Sequence, residues 1–442
     1  MTSLFDASHP QVPRRTAIGT IIAAASAVGV PLTACTPQLK KTDGSGGSGA
    51  ATVRIGYVSP QTGPLAPFGE ADSYVIDALR AHFEAKGARV GGKRVDVEIV
   101  VKDSRSDAKR AGDVAADLIL RDKVHLVLVA STPDTTNPVA DQCEAHGVPC
   151  ISTVAPWQPY FFGRNGNLSK PFRWTYHFFW GLEDVQAVFR DMWKAIPTNK
   201  RIGALWPNDP DGNAWGDAKT GFPPFARKVG YSMADPGRYA TGTQDFTAQI
   251  SRYKSEGTDI LIGVPVPPDF TTFWKQAAQQ GFRPKVATVG KALLFPSTLQ
   301  SLGELGENLG TEVWWSPRHP FHSSLTGESA EQLAKTYTEK FGKPWTQPIG
   351  FVHALFEVAV AALHNASAPD DRSGIASSLA RLKLSTVVGP LDWTKGPAPG
   401  VAKTPLVGGQ WRRRPDGQYD LVIVSNSEHP RIPAGGRMEA LS

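Results

Sequence analysis

Short apolar runs alternate with amphipathic helical stretches along most of the chain, the pattern that builds a parallel sheet covered by helices. In the first half, strands are predicted at 53–59, 95–101, 124–130 and 150–153, with helices at 71–86, 107–121 and 137–146 between them. Over 107–121 the residues Ala111, Val114, Ala115, Leu118 and Ile119 fall on one helical face. A second, similar series has helices at 182–195, 216–229, 246–255 and 269–280 and strands at 201–206, 259–264 and 285–289. Helices at 329–341 and 351–364 follow, then a Pro- and Gly-rich tail with short apolar runs. No short-period repeat is present, which argues against a solenoid or propeller.

The first 35 residues break this pattern. Arg14 and Arg15 stand before an uncharged stretch from Thr16 to Ala34, which closes on Leu32-Thr33-Ala34-Cys35. Residues 1–34 read as an export signal that is not part of the fold, with a paired arginine of the twin-arginine kind but without the usual Phe and Leu after it. The Leu-x-Ala-Cys ending at 32–35 resembles the lipobox of bacterial lipoproteins, which implies that Cys35 carries a lipid anchor after cleavage. The alternative, an uncleaved membrane helix, is disfavoured by the short run and by Gly19, Ser26, Gly29, Pro31 and Thr33 within it. From 36 to 51 the sequence is rich in Gly, Ser and Thr with little to bury, a flexible linker of root-mean-square reach ~20 to 25 Å. The remainder, about 400 residues, is enough for two lobes of ordinary domain size.

The formal net charge of +6 is a mild excess, and no stripe of Lys and Arg occurs beyond Arg412-Arg413-Arg414, so no nucleic-acid partner is expected. Besides Cys35 there are two cysteines, Cys143 and Cys150, an even pair in an exported chain. They are expected to form a local disulfide, the alternative being two buried free thiols.

Enzyme signatures fail. The sequence has no Gly-x-x-x-x-Gly-Lys-Ser/Thr, no Gly-x-Gly-x-x-Gly after a strand and no Gly-x-Ser-x-Gly elbow. His319 and His322 lack companions at metal-ligand spacing, so neither a metal nor a cofactor is expected. What remains is a set of loops at the carboxyl ends of predicted strands, where open α/β sheets place their ligands. They are 59–70, 131–137 and 153–157, rich in hydroxyls and helix N-termini suited to a carboxylate or amide. Asp134, Thr135 and Asn137 could equally cap the following helix.

Five segments together carry a resemblance over nearly all of the chain beyond the signal: IGYVSPQTGPLAPFG at 55–69, KDSRSD at 102–107, DFTAQISRYK at 245–254, QAAQQGFR at 276–283 and VGPLDW at 388–393. With them the chain resembles the branched-chain amino acid and amide receptors of ABC importers, the leucine-binding-protein-like solute-binding lipoproteins. The resemblance implies an α/β fold of the type I periplasmic binding protein: two lobes, each with a mostly parallel sheet covered by helices, joined by three hinge crossovers. The crossovers are expected near Phe172 to Thr175, Glu312 to Pro317 and Gly400 to Pro405. Lobe I then comprises 52–173 and 316–402, lobe II 174–315 and 403–430, and 431–442 forms a tail.

The same resemblance implies ligand contacts. Phe68 takes the position of an aromatic that covers the ligand, and Pro133, Asp134 and Thr135 with Ala155, Pro156 and Trp157 take the loops that bind its polar head. Trp215 replaces the usual Tyr in the second lobe, and Pro265 to Asp269 form another closing loop. Where amino-acid receptors of this kind hold the ligand's ammonium with an acid, this chain has Lys291. If Lys291 faces the ligand, the like charge argues for an anionic or neutral solute. Asp209 or Asp269 could still supply the missing charge, or Lys291 could point to solvent. The expected function is an exported, lipid-anchored, monomeric receptor, not an enzyme, that closes on an amino acid, amide or small carboxylic acid and delivers it to ABC permease subunits in the membrane. A ligand sensor of the same fold acting on a signalling partner is the alternative.

Overall fold

The computed structural model describes residues 51–441; the signal at 1–34, Cys35 and the linker up to residue 50 lie outside the described residues. The first lobe is built on strands β1 (Thr52–Ser59), β2 (Ala88–Val90), β3 (Lys93–Asp103), β4 (Leu126–Ala130), β5 (Cys150–Thr153) and β6 (Thr175–Phe178). The second begins with β7 (Arg201–Pro207), β8 (Ser232–Ala234), β9 (Arg238–Tyr239), β10 (Ile260–Gly263), β11 (Val286–Val289) and β12 (Gly310–Val313). A hairpin of β13 (Lys383–Thr386) and β14 (Gly389–Asp392) precedes β15 (Val401–Ala402), β16 (Val407–Arg413) and β17 (Tyr419–Ser425).

The first sheet runs β15-β6-β5-β4-β1-β3-β2, parallel except for the β2–β3 hairpin. Its middle strand β4, LVLVA, is buried at every position, as a parallel strand covered on both faces requires. The helix Ala108–Leu120 buries the expected face of Ala111, Val114, Ala115, Leu118 and Ile119, and Asp107 caps it by accepting from the Arg110 amide at 2.6 Å. The second sheet runs β17-β16-β12-β11-β10-β7-β8, parallel from β8 to β12 and antiparallel at β16 and β17.

Three crossings join the lobes, and the first is displaced from its expected place. Residues 175–178 pair with β5 and remain in the first sheet, so the chain leaves that sheet after Phe178 rather than at Phe172 to Thr175. The second crossing follows β12, where the Trp314 amide donates to Gln347 Oε1 at 2.8 Å and Gln347 Nε2 donates to the Glu312 carbonyl at 3.2 Å. The third lies between β15 and β16, where Lys403 Nζ reaches Glu183 and Asp184, each at 2.7 Å. Phe179 packs edge-on against Trp314 (5.3 Å) and Phe351 (5.1 Å), so two crossings share one aromatic core.

Two other expectations are corrected. Of the helix expected over 216–229 only Phe222–Lys228 is helical, and a separate helix, Pro210–Trp215, precedes it. Asp217 accepts from the amides of Lys219 and Thr220 in the turn between them, and a Cβ on Gly221 would lie 2.3 Å from the Trp215 carbonyl. Cys143 and Cys150 are free thiols, not a disulfide. Both lie fully buried in an apolar cluster with Val139, Val148 and Tyr160, where a thiol packs as a small apolar side chain and burial pushes the Cys143 pKa up.

Candidate functional site

The carboxyl ends of the strands of both sheets face a common, tightly packed cavity. The first lobe supplies Phe68 from the loop after β1, Thr132 after β4, and Val154 and Pro156 after β5. The second supplies Asp211 and Trp215 after β7, Val264 after β10, Lys291 and Leu294 after β11, and Glu312 in β12. The crossings add Phe179, Trp180 and Trp314. Phe68 stacks edge-on against Phe295 across the lobes, with centroids 4.8 Å apart, and closes one side. A larger depression around Arg318, Lys343, Trp345, Arg414 and Tyr419 shares no lining residue with this cavity.

The polar end is organised around Lys291. Gly290, Lys291 and Ala292 form a γ-turn of the rare hand: Lys291 has φ 57° and ψ −63°, and the Ala292 amide donates to the Gly290 carbonyl at 2.5 Å. A side chain on Gly290 would come within 2.8 Å of Trp215 and 3.0 Å of Glu312, so glycine is required there. The turn aims Lys291 inward, where Nζ lies 2.8 Å from Asp209 Oδ2 and 2.8 Å from Asp211 Oδ2. Asp209 also caps the helix Pro210–Trp215, accepting from the Gly212 amide at 2.7 Å. Glu312 accepts from Thr311 Oγ1 at 3.1 Å and, at 3.4 Å, from the Lys291 amide.

Charge in this cluster is unequal. Burial works against the Lys291 charge, but Asp209, Asp211 and Asp134 outweigh it and hold its pKa well above the ordinary value. One ammonium serves several carboxylates, so they are not all fully satisfied. Burial pushes Asp211 up to about 6 and Glu312 to about 7, and it raises Asp134 as well. Four buried polar atoms on cavity residues have no hydrogen-bond partner within the protein: Asp211 Oδ1 and the indole nitrogens of Trp180, Trp215 and Trp314.

Of the residues expected from sequence, Phe68, Pro156, Trp215 and Lys291 line the cavity. Asp209 stands behind it on Lys291, and Asp134, which accepts from Thr132 Oγ1 at 3.1 Å, adds its charge to the same cluster. The others do not line it. Pro133 opens the helix Pro133–His146, Thr135 Oγ1 donates to Ser131, and the Ala155 carbonyl contacts His177 Nε2. Trp157 Nε1 donates to Glu183, and Pro265 is absent from the lining. Asp269 accepts from the Gly242 amide. Lys291 is neither in solvent nor a bare cation, since two aspartates accompany it. Asp211, Glu312, Trp180 and Trp314 were missed; the hydrophobic pattern marks them only as ends of strands and crossings.

Among the described residues no helix is long and apolar enough to cross a membrane, and no cluster of three His, Cys, Asp or Glu could hold a metal. The Leu/Ile/Val-binding protein of Citrobacter freundii is 24% identical over 362 residues, which cover 78% of this chain and 87% of that one. Among solved structures, a leucine binding protein from Thermotoga maritima superposes with TM-score 0.66 at 21% identity, covering 85% of this chain and 99% of that one. A solute binding protein of an ABC transporter from R. palustris, in complex with 4-hydroxybenzoate, gives TM-score 0.67 at 16% identity, covering 85% and 96%. At these identities the two structures establish the shared fold alone. The model of the periplasmic binding protein family matches residues 52–417, and the chain belongs to that family.

Proposed function

We propose that this chain is the extracytoplasmic solute receptor of an ABC importer, which closes its two lobes on a small organic solute and delivers it to the permease. The observation that carries this reading is a cavity walled by strand-end loops of both lobes, lined by apolar and aromatic side chains together with ionisable ones. A solute touching both walls favours the closed form over any open one, and that differential contact is what a transporter can read. No nucleophile or proton relay is required for such a task.

The names of the similar proteins support the class of ligand: two bind branched-chain or leucine-type solutes and one holds 4-hydroxybenzoate. The wall offers Phe68, Phe179, Trp180, Trp215 and Trp314 to an apolar or aromatic body, and Asp211, Lys291 and Glu312 to a polar head. Phe68, Trp215, Asp211 and Lys291 are the residues we assign to contact with the solute, with Asp209 and Asp134 acting through Lys291. The lipidated Cys35 and the Gly-Ser linker would keep the two lobes within reach of the permease. A thermal-shift screen of amino acids, amides, aliphatic acids and aromatic acids tests the reading, because binding to the native state raises the melting temperature. Stabilisation by at least one class is expected; turnover of the bound solute, or no response to any class, would defeat the proposal.

A further inference from the structure

We propose that Lys291 is a resident ammonium, a cation supplied by the protein itself to the cavity's aspartates, and that the solute it selects therefore carries no amine. The inference rests on the receptor reading above and names the solute class for the same cavity. Lys291 is 3% exposed, and its side chain bonds Asp209 and Asp211 at 2.8 Å each. The chain adopts a γ-turn of the rare hand, with Lys291 at positive φ, to place it there.

Three features give the argument its direction. An ammonium has three N–H donors, and Asp209 and Asp211 use two, so the third is available to an oxygen of the solute. A solute ammonium reaching the same aspartates would have to displace Lys291, whose Nζ already holds both at 2.8 Å. The other free valences on the wall are three indole N–H donors, on Trp180, Trp215 and Trp314, against one carboxylate oxygen, Asp211 Oδ1. Donors outnumber acceptors, so the complementary solute is an acid, amide or carbonyl compound whose oxygens accept and whose one donor is a hydroxyl or amide N–H. Glu312, with its carboxyl near neutrality, adds a second acid that accommodates either a donor or an acceptor.

The test compares pairs of solutes that differ only in the amine: leucine with 4-methylpentanoate, phenylalanine with 3-phenylpropionate, and tyrosine with 3-(4-hydroxyphenyl)propionate. Calorimetric titration of the wild-type protein is expected to show at least tenfold tighter binding of the amine-free member of any pair that binds. Equal or tighter binding of an amino acid overturns the inference and leaves the receptor reading standing. In Lys291→Met the preference is expected to narrow or reverse. Methylammonium chloride is then expected to raise the melting temperature of that variant, relative to sodium chloride at equal ionic strength, with no such rise in the wild type. If no pair binds, this methylammonium response alone decides: a response confined to the variant supports the resident ammonium, and identical behaviour of both proteins overturns it. Should Lys291→Met not fold, Lys291→Met with Asp209→Asn leaves Asp211 as the lone acceptor and is read in the same way.

Discussion

Glu312 is buried with only two weak donors, and its carboxyl is raised from an ordinary 4.5 to about 7 because burial disfavours its charge. The folded state therefore holds a proton that the unfolded chain releases near pH 4.5. Stability linked to this group is fully present below that pH and is lost as pH rises through about 7, by about 3 kcal/mol in all. Glu312→Gln removes the titration. Denaturant unfolding at pH 5 and pH 8 is expected to show the variant gaining ~2 to 3 kcal/mol on the wild type between the two; parallel behaviour would show that Glu312 does not ionise in place. At this scale the sequence was partly legible. Lys291 and Phe68 stood out because the resemblance placed them at ligand-contacting positions, but Asp211 and Glu312 did not. Each is one acid among many until β7, β11 and β12 set them side by side.

Short turns, rather than the long helices, position these groups. Gly212 donates its amide to Asp209, and a Cβ there would lie 2.0 Å from the Pro207 carbonyl. Gly212→Ala must therefore open the turn that carries both aspartates, and a loss of ~1 to 3 kcal/mol in denaturant unfolding is expected. The helix at 107–121 was legible because its apolar positions repeat at helical spacing and Asp107 is a ready cap. The break at 216–221 was not, because the residues on either side keep a helical pattern while the Asp217 turn and a close backbone approach at Gly221 interrupt it. The helix end at Cys143 and the start of β5 at Cys150 place two thiols in one apolar layer, where neither needs a bridge. Alkylation of the denatured protein without prior reduction is expected to label both; a mass shift only after reduction would contradict this.

On the scale of the whole molecule, two α/β lobes meet through three crossings, and the cavity exists only because strand ends of both sheets point at it. The alternation of strands and helices made the two lobes legible from sequence. The place of the first crossing was not, since 175–178 reads as well as a linker as it does a second parallel partner for β5. Phe179, Trp314 and Phe351 give the crossings a shared core, and Phe179 and Trp314 also line the cavity. The most direct measurement takes a solute that stabilises the wild type and titrates it calorimetrically into Thr132→Val, altered in the first lobe, and Asp211→Asn, altered in the second. Each substitution is expected to weaken binding about tenfold or more, since each removes a polar group from the wall of one shared site. Affinity unchanged in either variant would contradict a solute held between the lobes.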